Sequence, residues 1–548
     1  MQVLPRSLGR GLRLALAAML MLPMASCSRR AVESHPLPAA AEALREGLEY
    51  YDGEKLDAAI SAFTKALELD PDYPEARCAR GKAYYDQDEL DKAIDDLTKA
   101  IQLDPNTAEA YRLRGKAYYD QDELDEAIED STKAIQLGSD SADVYRIRGM
   151  AYYDQGLLGE AVGDLTEAIR SDPDGAQAYR VRAKAYYDQY QLDRAIDDLT
   201  KAIQLDPNSA EAYRVRGKAY YDQDRLEPAI ADLTKVIQLD PSSDEAYCIR
   251  GKAYFYQDEL DKAVGDLANA VRLAPKSAEP HCALGRAYYD QDDLDKAVTE
   301  LTSAIDLDQD NAEAYCLRGK ARDDQGDLDG AIEDFGSALE IDEDNAEACF
   351  LLGNAYYRQN ELDLAISNLT HAILLDEENA QAYCARGKAY YDQSKLDEAI
   401  DDLDAATQLD REDGEAWRIR GLTWLERDEF AKALDDCNQA VSLDKEDGKA
   451  YACRGRVYLA KGELDKALAD GEKAVQLDPE DVESLCDRGR AYAAMKQWDK
   501  AIADYSEAIR LDSDCADAYE YRAAAYQGSG SEREAKADAA KAEQLRGG

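Results

Sequence analysis

The chain has 548 residues, and its 115 Asp and Glu against 66 Lys and Arg give it a formal charge of −49. A surface that acidic repels phosphate backbones and anionic headgroups, which sets it against general nucleic-acid or membrane-surface binding; an apolar content of 45% is too high for a disordered acidic tail. The three histidines, His35, His281 and His371, lie far apart in sequence, so a histidine-based metal or acid–base site has no support.

Arg6, Arg10 and Arg13 give the chain a basic start, and no acid precedes Glu33. The apolar run from Leu14 to Leu22 is nine residues long, too short to span a bilayer. Small residues, Ala25 and Ser26, lead directly to Cys27. A basic region, an apolar region and a small-residue region in this order predict a secretory signal peptide over residues 1–27. The Met-Ala-Ser-Cys ending resembles the bacterial lipobox. That resemblance implies that Cys27 is lipidated, becomes the mature N-terminus, and anchors an exported protein to a membrane facing the periplasm or the cell exterior. The alternative is an ordinary signal peptide cut near Ala25, with Cys27 incidental. Residues 28–39 read as a short polar tether.

From residue 40 onward the chain is periodic. Gly recurs at 47, 81, 115, 149, 217, 251, 285, 319, 353, 387, 421, 455 and 489, and Ala183 and Ala523 fill the two remaining slots of a 34-residue period. Twelve residues after each slot stands an Ala, from Ala59 to Ala535. Fifteen units in phase predict one continuous helical repeat array over residues 40–548 rather than several domains. Within a unit, Tyr111, Gly115 and Tyr118 share one face of a first helix, and Leu124, Ala127, Ile128, Ala134 and Ile135 stripe a second. Asp88, Asp122, Gly156, Gly326, Asn360 and Gly462 mark the turn between the two, because these residue types tolerate a left-handed backbone. Pro at 71, 105, 173, 207, 241, 275 and 479 stops the second helix.

An aromatic at the fourth place, Gly at the eighth, Tyr at the eleventh, Ala at the twentieth and twenty-seventh, and Pro at the thirty-second resemble the tetratricopeptide repeat. The resemblance covers about residues 40–548. It implies an all-α fold, a right-handed superhelical α-solenoid of about 15 helix-turn-helix repeats whose concave groove binds partner peptides. It also implies that the second, fifth, ninth, twelfth and thirteenth places of the first helix line that groove. Here those places hold Lys82, Lys116, Lys184, Lys218, Lys252 and Lys388 beside Tyr85, Tyr119, Tyr187, Tyr221, Phe255 and Tyr391, a cationic and aromatic ladder flanked by Asp86, Asp120, Asp188 and Asp222. Such mixed chemistry suits peptide segments of other proteins, with steering of basic segments by the acidic whole. Family members that clamp a terminal carboxylate use Asn at the ninth place; only Asn354 has it here, so that ligand class does not carry over.

Several departures carry expectations of their own. Repeat 9 has Arg322 and Asp323 in place of Tyr-Tyr, which predicts a thin core there. Repeats 8 to 12 replace the loop Pro by Gln309, Glu343, Glu377, Arg411 and Lys445, which predicts a softer kink. The last helix places Glu532, Lys536 and Ala539 where large apolar residues stood before, the polar outer face of a terminal cap.

Two columns vary together. Arg at the seventh place, as in Arg80, Arg114 and Arg216, is followed sixteen residues later by Asp96, Asp130 and Asp232 in twelve repeats. Repeats 1, 8 and 10 lack both, with Glu46, Leu284 and Leu352 and with Ala62, Glu300 and Asn368. Direct contact between the two helices of one repeat explains the coincidence; shared descent of duplicates is the alternative.

Chemistry is absent elsewhere. Six of the eleven Cys, at 78, 248, 282, 316, 384 and 486, hold the same fifth place, and equivalent places in neighbouring repeats lie about 10 Å apart, too far for a bridge. They read as small semi-buried filler. The Tyr-Asp-Gln-Asp-Glu-Leu-Asp runs lack the central Gly and distal Glu of a calcium loop, and no phosphate loop or nucleophile elbow occurs. The sequence implies no metal, no cofactor and no enzyme. It points to an exported scaffold or adaptor for other proteins, with a structural spacer, or a regulatory subunit of an envelope enzyme, as alternatives.

Overall fold

A computed structural model describes residues 37–547, so the stretch read as a signal peptide, Cys27 and most of the stretch read as a tether lie outside the described residues. Thirty α-helices and no strand occur among the described residues. The first helix begins at Pro38, two residues inside the stretch read as tether. Proline at the start of a helix sacrifices no hydrogen bond and fixes the backbone for the turn that follows. The chain divides into two compact units, the first ending at Pro207 after repeat 5 and the second beginning at Asn208 with repeat 6.

Each unit is a solenoid of helix pairs. In repeat 3 the first helix runs Ala108–Asp120 and the second Leu124–Gln136. The residue at the turn slot between them has positive φ in all fifteen repeats. Glycine fills only Gly156, Gly326, Gly462 and Gly530; Glu54, Tyr190, Ser394 and Lys496 adopt the same conformation. The slot therefore imposes its geometry even on side chains that disfavour it.

The small eighth residue of the first helix lets the second helix close in. A Cβ placed on Gly285 would lie 2.5 Å from Leu301 Cγ, and one on Gly319 would lie 2.5 Å from the Phe335 ring. Leu97, Leu165, Leu233, Leu267 and Leu369, the equivalent residues elsewhere, are fully buried. Within each unit the first helices of successive repeats touch one another, whereas the second helices do not. The first helices therefore line the inner face of each stack.

Two expectations need correction. The second helices of repeats 8 to 12 stop as sharply without Pro as the others do with it. Asp308, Asp342, Asp376, Asp410 and Asp444 end these helices, and each side chain accepts from the backbone N–H two residues on, at 2.7 to 3.3 Å, as Asp70 does ahead of the Pro71 loop. That Asx turn, not the ring of Pro, sets the stop. Nor is repeat 9 thin: Arg322 donates to the buried Asp334 at 2.9 Å, and Asp323 pairs with Arg358 of the next repeat. Arg358 stands where sibling repeats carry Asp, and Asp323 where they carry Tyr, so the tie between repeats is kept with donor and acceptor exchanged.

The cysteines divide. Burial pushes the Cys78, Cys282 and Cys316 thiols up to about 12 and Cys248 up to about 11, which makes them unreactive fillers. Cys437 and Cys453, outside the fifth-place column, instead form a disulfide across sixteen residues. It joins the second helix of repeat 12 (Phe430–Leu443) to the first helix of repeat 13 (Gly448–Ala460).

The Arg–Asp covariation is a contact. In all twelve repeats Nε and Nη2 of the Arg donate to the two carboxylate oxygens of the Asp at 2.6 to 3.0 Å. In most of them the remaining nitrogen, Nη1, reaches back into the preceding repeat. Arg80 donates to Thr64, Arg114 to Thr98, Arg148 to Thr132 and Arg386 to Thr370, at 2.9 to 3.0 Å. Asp404, Asn438 and Ser506 accept in the same way from Arg420, Arg454 and Arg522. One guanidinium thus holds three helices, two in its own repeat and one in the repeat before. Ahead of Leu284 and Leu352, where the Arg is missing, the acceptor is missing too: Ala268 and Gly336 stand in its place. In repeat 8 the orphaned Glu300 is bound instead by His281 at 2.7 Å.

This geometry predicts an asymmetry. Asp130 and Arg114 side chains are only 5% and 16% exposed. Asp130→Ala, which strands a buried guanidinium, should therefore cost about 3 kcal/mol, and Arg114→Leu/Asp130→Ala should cost clearly less. Denaturant unfolding of the single and double variants checks it, and a double variant as damaged as the sum of its parts would show that the pair is not one unit.

Candidate functional site

The ladder residues lie on the first helices, the inner face of each unit. Their side chains are tied between neighbouring repeats more than they are presented to solvent. Six twelfth-place tyrosines, at 51, 85, 119, 153, 289 and 357, donate their hydroxyl to the thirteenth-place Asp of the following repeat. Tyr51 and Tyr85 bond Asp86 and Asp120; Tyr119 reaches Asp154 at 2.6 Å, Tyr153 reaches Asp188 at 2.8 Å, and Tyr289 reaches Asp324 at 2.8 Å. Burial and the partner carboxylate push these hydroxyls up, Tyr289 to about 12.

The ninth-place cations are held by a neighbouring repeat, over the Tyr ring before them or against the Glu after them, and Lys388 by both. Lys82 lies over the Tyr51 ring at 4.7 Å, Lys116 over Tyr85 at 4.6 Å and Lys388 over Tyr357 at 5.2 Å. Lys252 pairs with Glu279 at 2.5 Å, Lys388 with Glu415 at 2.8 Å and Lys218 with Glu245 at 3.7 Å, each acid being the second residue of the next repeat. Lys184 and Tyr187 keep the same places on the first helix Ala176–Asp188 and are half-buried. The cationic ladder expected from sequence is therefore a lattice of paired charges. The fourteenth-place Gln adds a further tie: Gln121 donates to Asp91 at 2.9 Å and Gln155 to Asp125 at 2.7 Å. The acidic runs that faintly suggested a calcium loop are thus helix ends whose carboxylates are used between repeats.

The lattice breaks at two places on the second unit. In repeat 7, Phe255 and Tyr256 replace Tyr-Asp. Phe255 has no hydroxyl to donate, and Tyr221 meets the Tyr256 ring at 6.2 Å instead of a carboxylate. Tyr256 is 58% exposed. The three rings and the Lys252–Glu279 and Arg286–Glu313 pairs border a cleft of about 290 Å³. Sequence reading placed Tyr221 and Phe255 in the ladder but missed Tyr256, although it is the one aromatic at a thirteenth place. In repeat 12, Leu422 and Leu425 replace Lys and Tyr, and Tyr391 packs against the repeat-12 core beside them.

The family described as TPR repeat matches residues 47–88, 81–122, 115–156, 183–224, 217–258, 251–292, 285–322, 324–360, 353–394, 455–496 and 489–530, and the family described as tetratricopeptide repeat matches 384–448. Together these matches span well over half of the chain. No curated protein matches the sequence. Among solved structures, similarity extends to the APC/C hetero-tetramer Cut9–Hcn1, at 16% identity over 83% of this chain and 96% of that chain, with a TM-score of 0.39. It extends also to MamA, at 32% identity over 30% of this chain and 96% of that chain, TM-score 0.29. YrrB, described as a TPR protein with an unusual peptide-binding site, is 25% identical over 36% of this chain and 99% of that chain, TM-score 0.29.

The Tyr–Asp ties carry a pH signature. A tyrosine whose pKa is raised on folding adds stability that is fully present below the unfolded value near 10 and is lost as pH climbs through the folded value. For Tyr289 that window runs from about pH 10 to about 12. Spectrophotometric titration should therefore show a class of tyrosines that ionises late and together with loss of helix. Ionisation of every tyrosine near pH 10 in the still-folded chain would contradict the lattice.

Proposed function

Because the chain belongs to the tetratricopeptide-repeat family, whose repeats generally mediate protein–protein interaction, we propose that it is a non-enzymatic scaffold that binds segments of partner proteins on its inner face. In this reading residues 1–27 direct export, and Cys27 carries the lipid that holds the protein on a membrane. A single acyl chain binds only marginally, so anchoring calls for the diacyl form of bacterial lipoproteins. The Cys437–Cys453 bridge suits an oxidising compartment, which supports export. Among the described residues no helix is long and apolar enough to cross a membrane.

The observation that carries the binding reading is the aromatic break in repeat 7. Tyr221, Phe255 and the exposed Tyr256 cluster beside a cleft whose bordering charges, Lys252–Glu279 and Arg286–Glu313, are already paired. Half-exposed aromatic rings flanked by satisfied charges are the usual anchors of a protein interface, because they give apolar contact without stranding a charge. A second reading has its own support. The Tyr–Asp, Lys–Glu and Gln–Asp ties satisfy much of the inner face internally, as a spacer whose length is its function would require.

One experiment separates them. A photo-crosslinking phenylalanine analogue at Tyr256 should capture a partner in membranes of the native cells, whereas the same analogue at Leu374, 71% exposed on the second helix Leu362–Leu375, should not. Cys27→Ser should release the complex from the membrane fraction. Equal capture at both positions, or none at Tyr256, would move the spacer reading ahead; retention of the Cys27→Ser protein in the membrane would remove the lipid anchor.

A further inference from the structure

The inner face changes chemistry beyond repeat 11. Tyr391 is the last twelfth-place Tyr; Leu425 and Leu459 follow it in repeats 12 and 13, and the ninth places there read Leu422 and Arg456. The Tyr–Asp ties stop with them, and a cavity of about 700 Å³ opens along repeats 11 to 15. One wall is apolar, built by Leu425, Phe430, Leu459 and Val482.

The charged residues of this cavity fall into two sets. The first is closed on itself. Arg456 donates through Nε to Asp487 and through Nη2 to Glu483 at 3.0 Å, and Arg490 reaches Asp487 at 3.2 Å. Asp487 is 8% exposed. Two guanidiniums against two carboxylates leave this floor neutral, so it offers little to an anionic ligand. The second set is acidic. Asp517 is answered by Arg546 at 2.6 Å. Glu426 and Asp428 are exposed at the rim and make no ion pair among the described residues.

We propose that this cavity docks a partner segment that sets an aliphatic side chain beside a lysine or arginine. The inference rests on the inner-face binding reading and deepens it by naming the place and the chemistry of the occupant. The aliphatic side chain covers the part of Leu425 and Leu459 that the core leaves half-buried. The cation meets Glu426 and Asp428, whose field the net charge of −49 reinforces. An acidic or phosphorylated segment is rejected by the same rim and finds both arginines already neutralised.

The test uses the full chain and a labelled synthetic peptide of alternating leucine and lysine, followed by fluorescence anisotropy at physiological salt. Saturable binding is expected, weakened roughly tenfold or more when serine replaces leucine or glutamate replaces lysine, a difference of about 1.4 kcal/mol. Leu459→Asp and, separately, Glu426→Lys/Asp428→Asn should each weaken it about tenfold with helix content unchanged, whereas Leu374→Glu on the exposed face of the second helix Leu362–Leu375 should not. The rim variant keeps the test valid if Leu459→Asp fails to fold. Equal affinity for the serine–lysine peptide would reduce the binding to non-specific charge attraction and overturn the proposal, as would full affinity in the rim variant. Binding lost in Tyr256→Asp but kept in the rim variant would leave the inner-face reading standing and this cavity without its role. Absence of capture at Tyr256 in cells would remove the broader reading independently.

Discussion

The structure depends on one side chain used three ways. An Arg on a first helix grips the Asp of its own second helix with two parallel bonds and, with its third nitrogen, an oxygen on the second helix before it. A repeat protein has no contacts between distant parts of the chain, so its cohesion is set by each helix pair and by each joint between pairs. The guanidinium serves both at once. Its planar fork matches a carboxylate bidentately, and its stem covers apolar surface, which an ammonium could not reproduce. Where it is lost, ahead of Leu284 and Leu352, the joint keeps only its packing and its inner-face ties, such as Lys252–Glu279 and Asp323–Arg358, and His281 takes up Glu300 inside repeat 8.

The fold was legible because the same solution is written fifteen times. Phase, turn slots and the Arg–Asp columns could all be read by comparing repeats with one another. Contacts that leave the repeat could not. Where Nη1 reaches back, its acceptor is a Thr, Asn, Asp or Ser in the preceding repeat, in plain view at Thr64, Asn438 and Ser506, but in a column compared with the wrong neighbour. The ladder failed in the same way: Tyr119 and Asp154 are thirty-five residues apart, one period and one residue, and nothing within a repeat links them. The prolines misled for a different reason. They mark a stop that the preceding Asp already enforces through its side chain.

Two consequences follow for the inner face. Charges that read as a binding surface in sequence are spent on joints, so their number says little about affinity. What distinguishes one stretch from another is where the pattern is broken: Phe255 and Tyr256 in repeat 7, Leu425 and Leu459 in repeats 12 and 13. Near-identical repeats give cohesion, and the atypical ones give a face its selectivity. Cysteine follows a similar division, with the fifth-place thiols buried as filler and the one bridge formed between Cys437 and Cys453, outside that column.

If the three-way Arg governs cohesion, the joints that lack it should open first. Hydrogen exchange read by mass spectrometry across the whole chain measures this directly, because local opening is scored joint by joint. The helices flanking Leu284 and Leu352 should exchange faster than those flanking Arg250, Arg386 and Arg420. Equal protection at all joints, or fastest exchange at those that carry the Arg, would contradict it.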